Sequence, residues 1–502
     1  MKTKQRSAME KNDLKEKNEL LKEENTSDRI SDLPDELLHH IFSFLPIQSI
    51  VQSSVLAKRW THLWRSHPHL DFSRPSPTLV SPRLPSNTIP IVFSRRQQDS
   101  NITSFRLFGH VSPSCLRDYI NRVMNHRIEL LELDVYLNSG FDLPKCLFNC
   151  NTLGVLTLHH RNHSKFRGGY FQLQTSSTNF NYPTSVGLPS VHTLSLTNAY
   201  FEHGSDLFSG EKFPLLRKLC LENCIGLSDL NINCPGLEIL ELEGFDLKDL
   251  DVSGIGLLEL HVTTCFRSCV NGSANILAPC LRSLYWRGGI PVEFTTNIFK
   301  DLNACTLHIE TPKDKIQEIL TLRSVSTFVS ALCLARSLSF GSGRQFLETL
   351  SKMDSEGGLP FSFDNLRTLE LHTNMTKDEI TGLTCLLRSS PKLDTITISI
   401  NSYPETRNEG WNKKQYGKFK IQNLLSIEFH LKFARIYVHD TKMHGSELYF
   451  VNLLLRHGKA LQEITLALSS NHAITRSQRR KIHYEMTKFA KTSCKVLISS
   501  LP

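Results

Sequence analysis

The sequence predicts an α+β chain: a small N-terminal module of three helices, then an irregular repeat solenoid with short parallel strands on its concave face. Three observations carry this reading. Apolar residues recur at helical spacing between residues 33 and 64. From about residue 100 onward, a pattern of apolar, two residues, apolar, one residue, apolar begins anew fourteen times. The 502 residues, 40% hydrophobic and 21% charged, have the composition of a folded chain and exclude wholesale disorder. The net charge of +9 is mild for this length and does not mark a nucleic-acid binder. Thirteen irregularly spaced cysteines, with no secretory apolar segment after Met1, point to a reducing compartment, in the cytoplasm and/or the nucleus. No apolar run approaches the roughly 20 residues that span a bilayer, so no membrane partner is expected.

Residues 1–27 carry seven Lys/Arg and six Asp/Glu without a sustained apolar stripe, and are expected to form a disordered charged arm. The module proper occupies 28–72. In its first helix Leu37, Leu38, Ile41, Phe42 and Leu45 fall at helical spacing. Pro34 suits the first helical position, and Asp35 and Glu36 face the positive end of the dipole. Pro46 ends this helix and opens a second with Ile47, Ile50, Val51 and Val55; Lys58–Trp64 reads as a third. Three such helices cannot bury a self-sufficient core, and the apolar set wraps more than one face, so a partner surface is expected.

The segments Asp28–Leu38, Ile41–Pro46 and Ser54–Arg65, with their Leu-Pro opening and Lys-Arg-Trp, closely resemble the F-box of plant F-box/leucine-rich-repeat proteins. The resemblance implies docking on a Skp-type adaptor and, through it, a cullin scaffold and ubiquitin-conjugating machinery. Matched onto this chain, Leu33, Pro34, Leu37, Ile41, Leu45, Val55 and Trp60 would form the adaptor surface.

Five prolines among serines mark 73–95 as a stiffened spacer. Over 96–423 the recurring triplets, which begin at Ile102 and include Leu216, Leu237, Leu257, Leu281, Ala304, Ala335, Leu366 and Leu393, carry the leucine-rich-repeat signature, and a further triplet begins at Leu424. Cys224 and Cys265 fall at the buried Asn/Cys position of the repeat. Between residues 216 and 257 second-face triplets at Leu227 and Leu247 halve the step to about 10 residues. Too little chain remains there for a helix, so extended structure is expected on the convex side. Helices are expected on longer returns, such as Thr376–Ser390 and Glu447–Arg456. The block 424–470 resembles the FBD extension of many plant F-box proteins, or simply the last repeats. Within 471–502, Ile474–Lys495 reads as a basic capping helix.

No catalytic constellation emerges, and the chain reads as a non-catalytic receptor. The pairs Cys146/Cys150, Cys220/Cys224 and Cys265/Cys269 lack accompanying ligands, so no metal or other cofactor is expected. The informative surface is the solvent side of the strands. Of its 42 positions ten are acidic and three basic. Glu222, Glu241, Glu243, Glu259, His261, Tyr285, His308 and Glu310 are the candidate target-binding face, expected to receive a basic or amide-rich segment. The resulting expectation is a substrate-recognition subunit of an SCF-type ubiquitin ligase. The alternative is a leucine-rich-repeat interaction scaffold without ubiquitin transfer. Nucleic-acid binding is disfavoured because aromatic residues are not interleaved with basic ones.

Overall fold

The computed structural model describes residues 30, 33–72, 88–161, 180–183, 187–201, 206–266, 272–297, 299–309, 324–341, 343–355, 361–374, 376–400, 430–439, 450–452, 454–456, 458, 460–468, 476–488 and 494–500. The expected arm at 1–27 and most of the expected spacer lie outside them. Described residues up to Asn138, with Arg161, form one compact unit; Ser139–His160 and those from Phe180 onward form a second.

The first unit opens with α1 (Asp35–Phe42), α2 (Ile47–Ser53) and α3 (Lys58–Ser66). Pro34 and Pro46 are the extended N-caps of α1 and α2, one position before the one expected for Pro34, and there too a missing N–H costs no helical bond. α1 buries Leu38 and Phe42, α2 buries Ile47 and Ile50, and α3 buries Trp60, Leu63 and Trp64. An ion pair between Arg59 and Asp35 ties α3 to α1.

The chain then passes directly into β1 (His69–Phe72), which runs parallel to β2 (Ser104–His110), itself parallel to β3 (Leu130–Tyr136). The repeat sheet thus begins inside the stretch assigned to the helical module. Register equates His69 with Ser104, which puts His67 at the position that Ile102 and Ile128 fill in the next two repeats. A histidine there broke the apolar pattern and hid the repeat. Residues 88–95 are α4 (Thr88–Arg95), not spacer: Ile89 and Val92 are buried, and Pro90 is tolerated in the first turn. α5 (Pro113–Met124) is capped by Ser112, whose hydroxyl accepts the Cys115 N–H.

In the second unit a long parallel ribbon joins β5 (Val155–His160), β7 (Thr193–Thr197), β10 (Lys218–Glu222), β12 (Ile239–Glu243), β14 (Glu259–Thr263), β16 (Ser283–Gly288), β18 (Ala304–Ile309), β19 (Ser337–Phe340), β20 (Thr368–Thr373), β21 (Thr395–Ile400), β22 (Phe433–Val438), β23 (Glu463–Leu468) and β24 (Lys495–Ser500). A second parallel sheet holds β9 (Phe208–Ser209), β11 (Asp229–Asn233), β13 (Asp249–Ser253), β15 (Ser273–Leu277) and β17 (Glu293–Thr296). β4 (Phe141–Asp142), β6 (Phe180–Tyr182) and β8 (Ala199–Phe201) form a third. The short returns of residues 216–257 therefore carry strands, as their length predicts. The longer returns carry α6 (Lys145–Phe148), α7 (Gly343–Ser355) and α8 (Lys377–Arg388), the last opened by a capping box between Thr376 and Glu379. Residues 450–452 and 454–456 are helical too.

Alternate residues along each ribbon strand are buried, so Leu219, Leu240, Leu260 and Leu284 stack in one core row and Leu221, Leu242, Val262 and Trp286 in another. Asn223, Gly244, Thr264 and Gly288 then turn the chain out of successive strands with positive φ. Cys224 and Cys265 follow this turn, buried, with thiols 3.4 Å from the carbonyls of Leu196 and Leu242 in the preceding repeats.

Three sequence assignments are corrected by register. Leu284 pairs with Cys305, so that repeat starts at Leu302 and not Ala304. Ile396 pairs with Ala434, so the repeat after Leu393 starts at Leu431 and not Leu424. In both, a small residue occupies the central apolar site and the pattern slid to larger neighbours. The basic C-terminal stretch is not one capping helix: α9 (Arg476–Thr487) is followed by β24, where Val496–Ile498 suits a strand and pairs with β23.

Candidate functional site

Each unit carries one candidate surface. On the helical module, α1 has two apolar stripes. Leu38 and Phe42 point into the module, whereas Leu37 and Ile41 point to solvent, continued by Phe44 and Leu45 beyond the helix. Val55 and Leu56, in the turn between α2 and α3, are 88% and 73% exposed, and Phe44 is 74% exposed. So many large apolar side chains on a module this small form a patch that water solvates poorly. Of the residues matched from sequence, Pro34, Leu37, Ile41, Leu45 and Val55 are exposed and Leu33 is half-buried.

Trp60 is the exception. Only 8% exposed, it meets Phe42 edge-on with ring centroids 5.7 Å apart, and so joins α3 to α1 inside the core. It supports the patch from behind instead of forming it, because its spacing from Leu63 and Trp64 puts all three on the inner stripe of α3. Phe44 and Leu56, equally exposed, are not among the residues matched from sequence. The signal that would have found them is position: Phe44 extends the Leu37/Ile41 stripe by three residues.

Behind the module three imidazoles meet. The rings of His39 and His67 stack, their Nδ1 atoms 3.1 Å apart, and His67 packs edge-on against His69. His67 is fully buried, and Arg96 donates to its carbonyl. Burial foremost, then the neighbouring His69, His39 and Arg96, pushes its pKa down to about 3, so it is neutral at physiological pH.

The second surface is the solvent side of the ribbon in the second unit. Its middle row runs Cys220, Glu241, His261, Tyr285, Thr306 across β10–β18, and the next row runs Glu222, Glu243, Thr263, Arg287, His308. Glu259, two residues before His261 on β14, is exposed, while Glu310 lies outside the described residues. The carboxylates are not equivalent. Glu241 accepts from Lys218 Nζ at 2.9 Å and from the Cys220 thiol at 3.1 Å. Burial pushes its pKa up, but these donors and the lysine charge outweigh burial and leave it below the usual carboxylate range. The Cys220 thiol is pushed up to about 12 by burial and by Glu241, which makes it a poor nucleophile. Glu222 accepts from Thr197 and Asn223. Glu243 stands opposite Glu222 in register, and burial, then that neighbouring charge, raises its pKa.

Rings continue the surface. His261 and Tyr285 have centroids 5.8 Å apart, and Tyr285 and His308 5.7 Å apart. Of the ten acidic and three basic positions, eight and two belong to this unit, and Glu310 and Glu428 lie outside the described residues. Among the described ribbon positions of this unit, Glu222, Glu241, Glu243, Glu259, Glu370 and Glu463 face Lys218, Arg287, Arg435 and Lys495. The excess is concentrated on β10–β14, and the corrected register of β22 brings in Arg435.

Residues 30–71 match the F-box domain model, a stretch that holds α1–α3 and all of β1 but its last residue. An F-box/FBD/LRR-repeat protein of Arabidopsis thaliana is 32% identical over 501 residues, covering 94% of this chain and 95% of the relative. The chain belongs to the F-box/FBD/LRR-repeat family. An F-box/LRR-repeat protein of the same plant is 26% identical over 74% of this chain and 72% of its own length. An FBD-associated F-box protein is 27% identical over 80% and 92%. F-box/LRR proteins generally act in substrate recognition by SCF ubiquitin ligases, typically as non-catalytic adaptors, and the F-box domain typically binds Skp-type adaptors. In this F-box/FBD/LRR-repeat protein the exposed apolar patch lies on the segment that the F-box model matches. No group of three or more His, Cys, Asp or Glu among its described residues is arranged to hold a metal, and no described helix is long and apolar enough to cross a membrane.

Proposed function

We propose that this chain is the substrate-recognition subunit of an SCF-type ubiquitin ligase, with its F-box docked on a Skp-type adaptor, which links it to a cullin, and its repeat ribbon holding a target protein for ubiquitination. The observation that carries the reading is the patch of Leu37, Ile41, Phe44, Leu45, Val55 and Leu56, turned to solvent on the F-box segment. Burial against a partner releases roughly 25 cal/mol per Å2 of apolar surface, which gives the patch a reason to dock. The bond-forming chemistry would lie in other subunits, and this chain would raise the local concentration of target lysines near them. The domain division follows the same logic: helical module to about Ser66, then repeat array, with the FBD segment as its last described repeats.

Co-expression with a Skp-type adaptor tests this. A 1:1 complex is expected on gel filtration. Ile41→Asp together with Val55→Asp is expected to weaken it at least a hundredfold without changing the circular dichroism spectrum. Failure of the wild-type chain to retain any adaptor would leave the interaction-scaffold alternative.

A further inference from the structure

The ribbon is not uniform along its length. On β14, β16 and β18 the half-buried rings of His261, Tyr285 and His308 form a continuous diagonal strip on the solvent side. The strand beyond it leaves room for the last ring. Gly341 follows β19, and a Cβ built on it would come 1.6 Å from His308 Cε1. The imidazole therefore occupies the volume that any larger residue at 341 would fill, over the end of the neighbouring strand β19.

Charge gives this strip a polarity. Glu241 flanks His261 in register, and Glu259 precedes it on the same strand. Lys218 is already paired with Glu241. Glu243 and Glu222 stand side by side on neighbouring strands, which is unfavourable for like charges, and the charge of Arg287 offsets this only in part. Toward β18 the only charged side chain in these rows is Arg287, between Thr263 and His308. A planar cation laid on Tyr285 would gain from the face of the ring while its charge met the carboxylates of β12 and β14.

We propose that the His261–Tyr285–His308 strip is the floor on which an extended target segment docks, and that this segment carries an arginine, or less favourably a lysine, next to an apolar or aromatic residue. The inference rests on the receptor reading above and names the chemistry of its target. The cation would sit over Tyr285 toward Glu243 and Glu259, and the apolar neighbour would lie toward His308. Arginine is favoured over lysine because its flat guanidinium stacks on a ring while still donating sideways. An acidic segment would meet the carboxylates and be repelled.

The test uses the full chain held by its Skp-type adaptor and panned against a random twelve-residue peptide display library. Enriched peptides are synthesised with a fluorescein label and titrated by anisotropy. Enrichment of Arg or Lys beside an apolar residue is expected. Tyr285→Ala and, separately, the exposed-site variant Glu259→Arg are each expected to weaken binding tenfold or more, while Glu463→Arg, elsewhere on the ribbon, leaves it unchanged. Three results would overturn the proposal: no enriched peptide, enriched peptides without basic residues, or affinities that Glu259→Arg does not move. Adaptor retention is scored in the same preparations. Retention without peptide selectivity sinks the docking strip alone. If the adaptor fails to bind, the chain is immobilised by a tag, and peptide selectivity would then preserve the strip while the receptor reading falls.

Discussion

Two stretches of the second unit solve the same packing problem differently. Between residues 206 and 297 the repeats beginning at Leu216, Leu237 and Leu257 recur about every 20 residues, and the chain returns through strands of a second sheet. Between residues 324 and 400 the repeats are longer, and the return is made by helices α7 and α8, which pack on each other. Return length decides: four or five residues cannot nucleate a helix, but they can extend a sheet whose neighbours are already in register. The solvent rows differ as well. β10–β16 present carboxylates, rings and Arg287, whereas β19–β21 present mainly Ser337, Ser339, Thr368, Thr395 and Thr397. The stretch with the thinnest repeats thus carries the most distinctive chemistry.

Breaking the two-sheet stretch should have the largest effect. Trp286 is fully buried, stacked on Phe266 at 5.8 Å and edge-on to Phe294 of the second sheet, with its indole N–H donated to the Gly289 carbonyl. Trp286→Ala should cost about 3–5 kcal/mol, read as a lowered urea midpoint. An unchanged midpoint would mean that the two sheets are not coupled through this ring.

The first repeat sharpens the contrast between regular and irregular packing, because His67 stands where later repeats place an apolar residue. Its unfolded pKa near 6.5 lies above the folded value of about 3. Between these values the unfolded chain binds more protons, so stability falls with falling pH, by at most about 1.4 kcal/mol per pH unit. From pH 7 to pH 5 a loss of about 2 kcal/mol is expected. His67→Leu should abolish most of that slope, and an equal slope in the variant would assign the acid sensitivity elsewhere.

In the helical stretch, Gly382 of α8 touches the backbone of α7 so closely that an added Cβ would lie 2.0 Å from the Leu347 carbonyl oxygen. Gly382→Ala should force the helices apart at a cost of about 1–3 kcal/mol, measured by thermal unfolding. The smallest effect is electrostatic. Glu243→Gln relieves the repulsion with Glu222 and should stabilise by a few tenths of a kcal/mol at pH 7. Because a raised pKa means that ionisation opposes folding, the gain should vanish near pH 3, where the wild-type side chain is already protonated. A gain that persisted at pH 3 would point to packing, not charge.

Much of this was legible in the chain itself. The helical module, the strand-bearing returns at Leu227 and Leu247, the capped helix after Thr376 and the buried Cys224 and Cys265 follow from spacing and residue type, because alternation and helical periodicity are local properties. The rows on which Glu222, Glu241 and Tyr285 lie follow too, since parity along a strand fixes the face. Other features depended on what each residue meets across space. Whether Trp60 faced a partner or Phe42 was settled by the packing of α3 on α1. Only pairing with Leu284 and Ile396 revealed that Cys305 and Ala434 fill repeat positions, and only pairing with β23 revealed β24. The same holds for charge. The sequence counted acidic residues, but the fold decided that Lys218 neutralises Glu241 while Glu243 is left facing Glu222, because a parallel register sets residues about 20 apart in sequence beside one another.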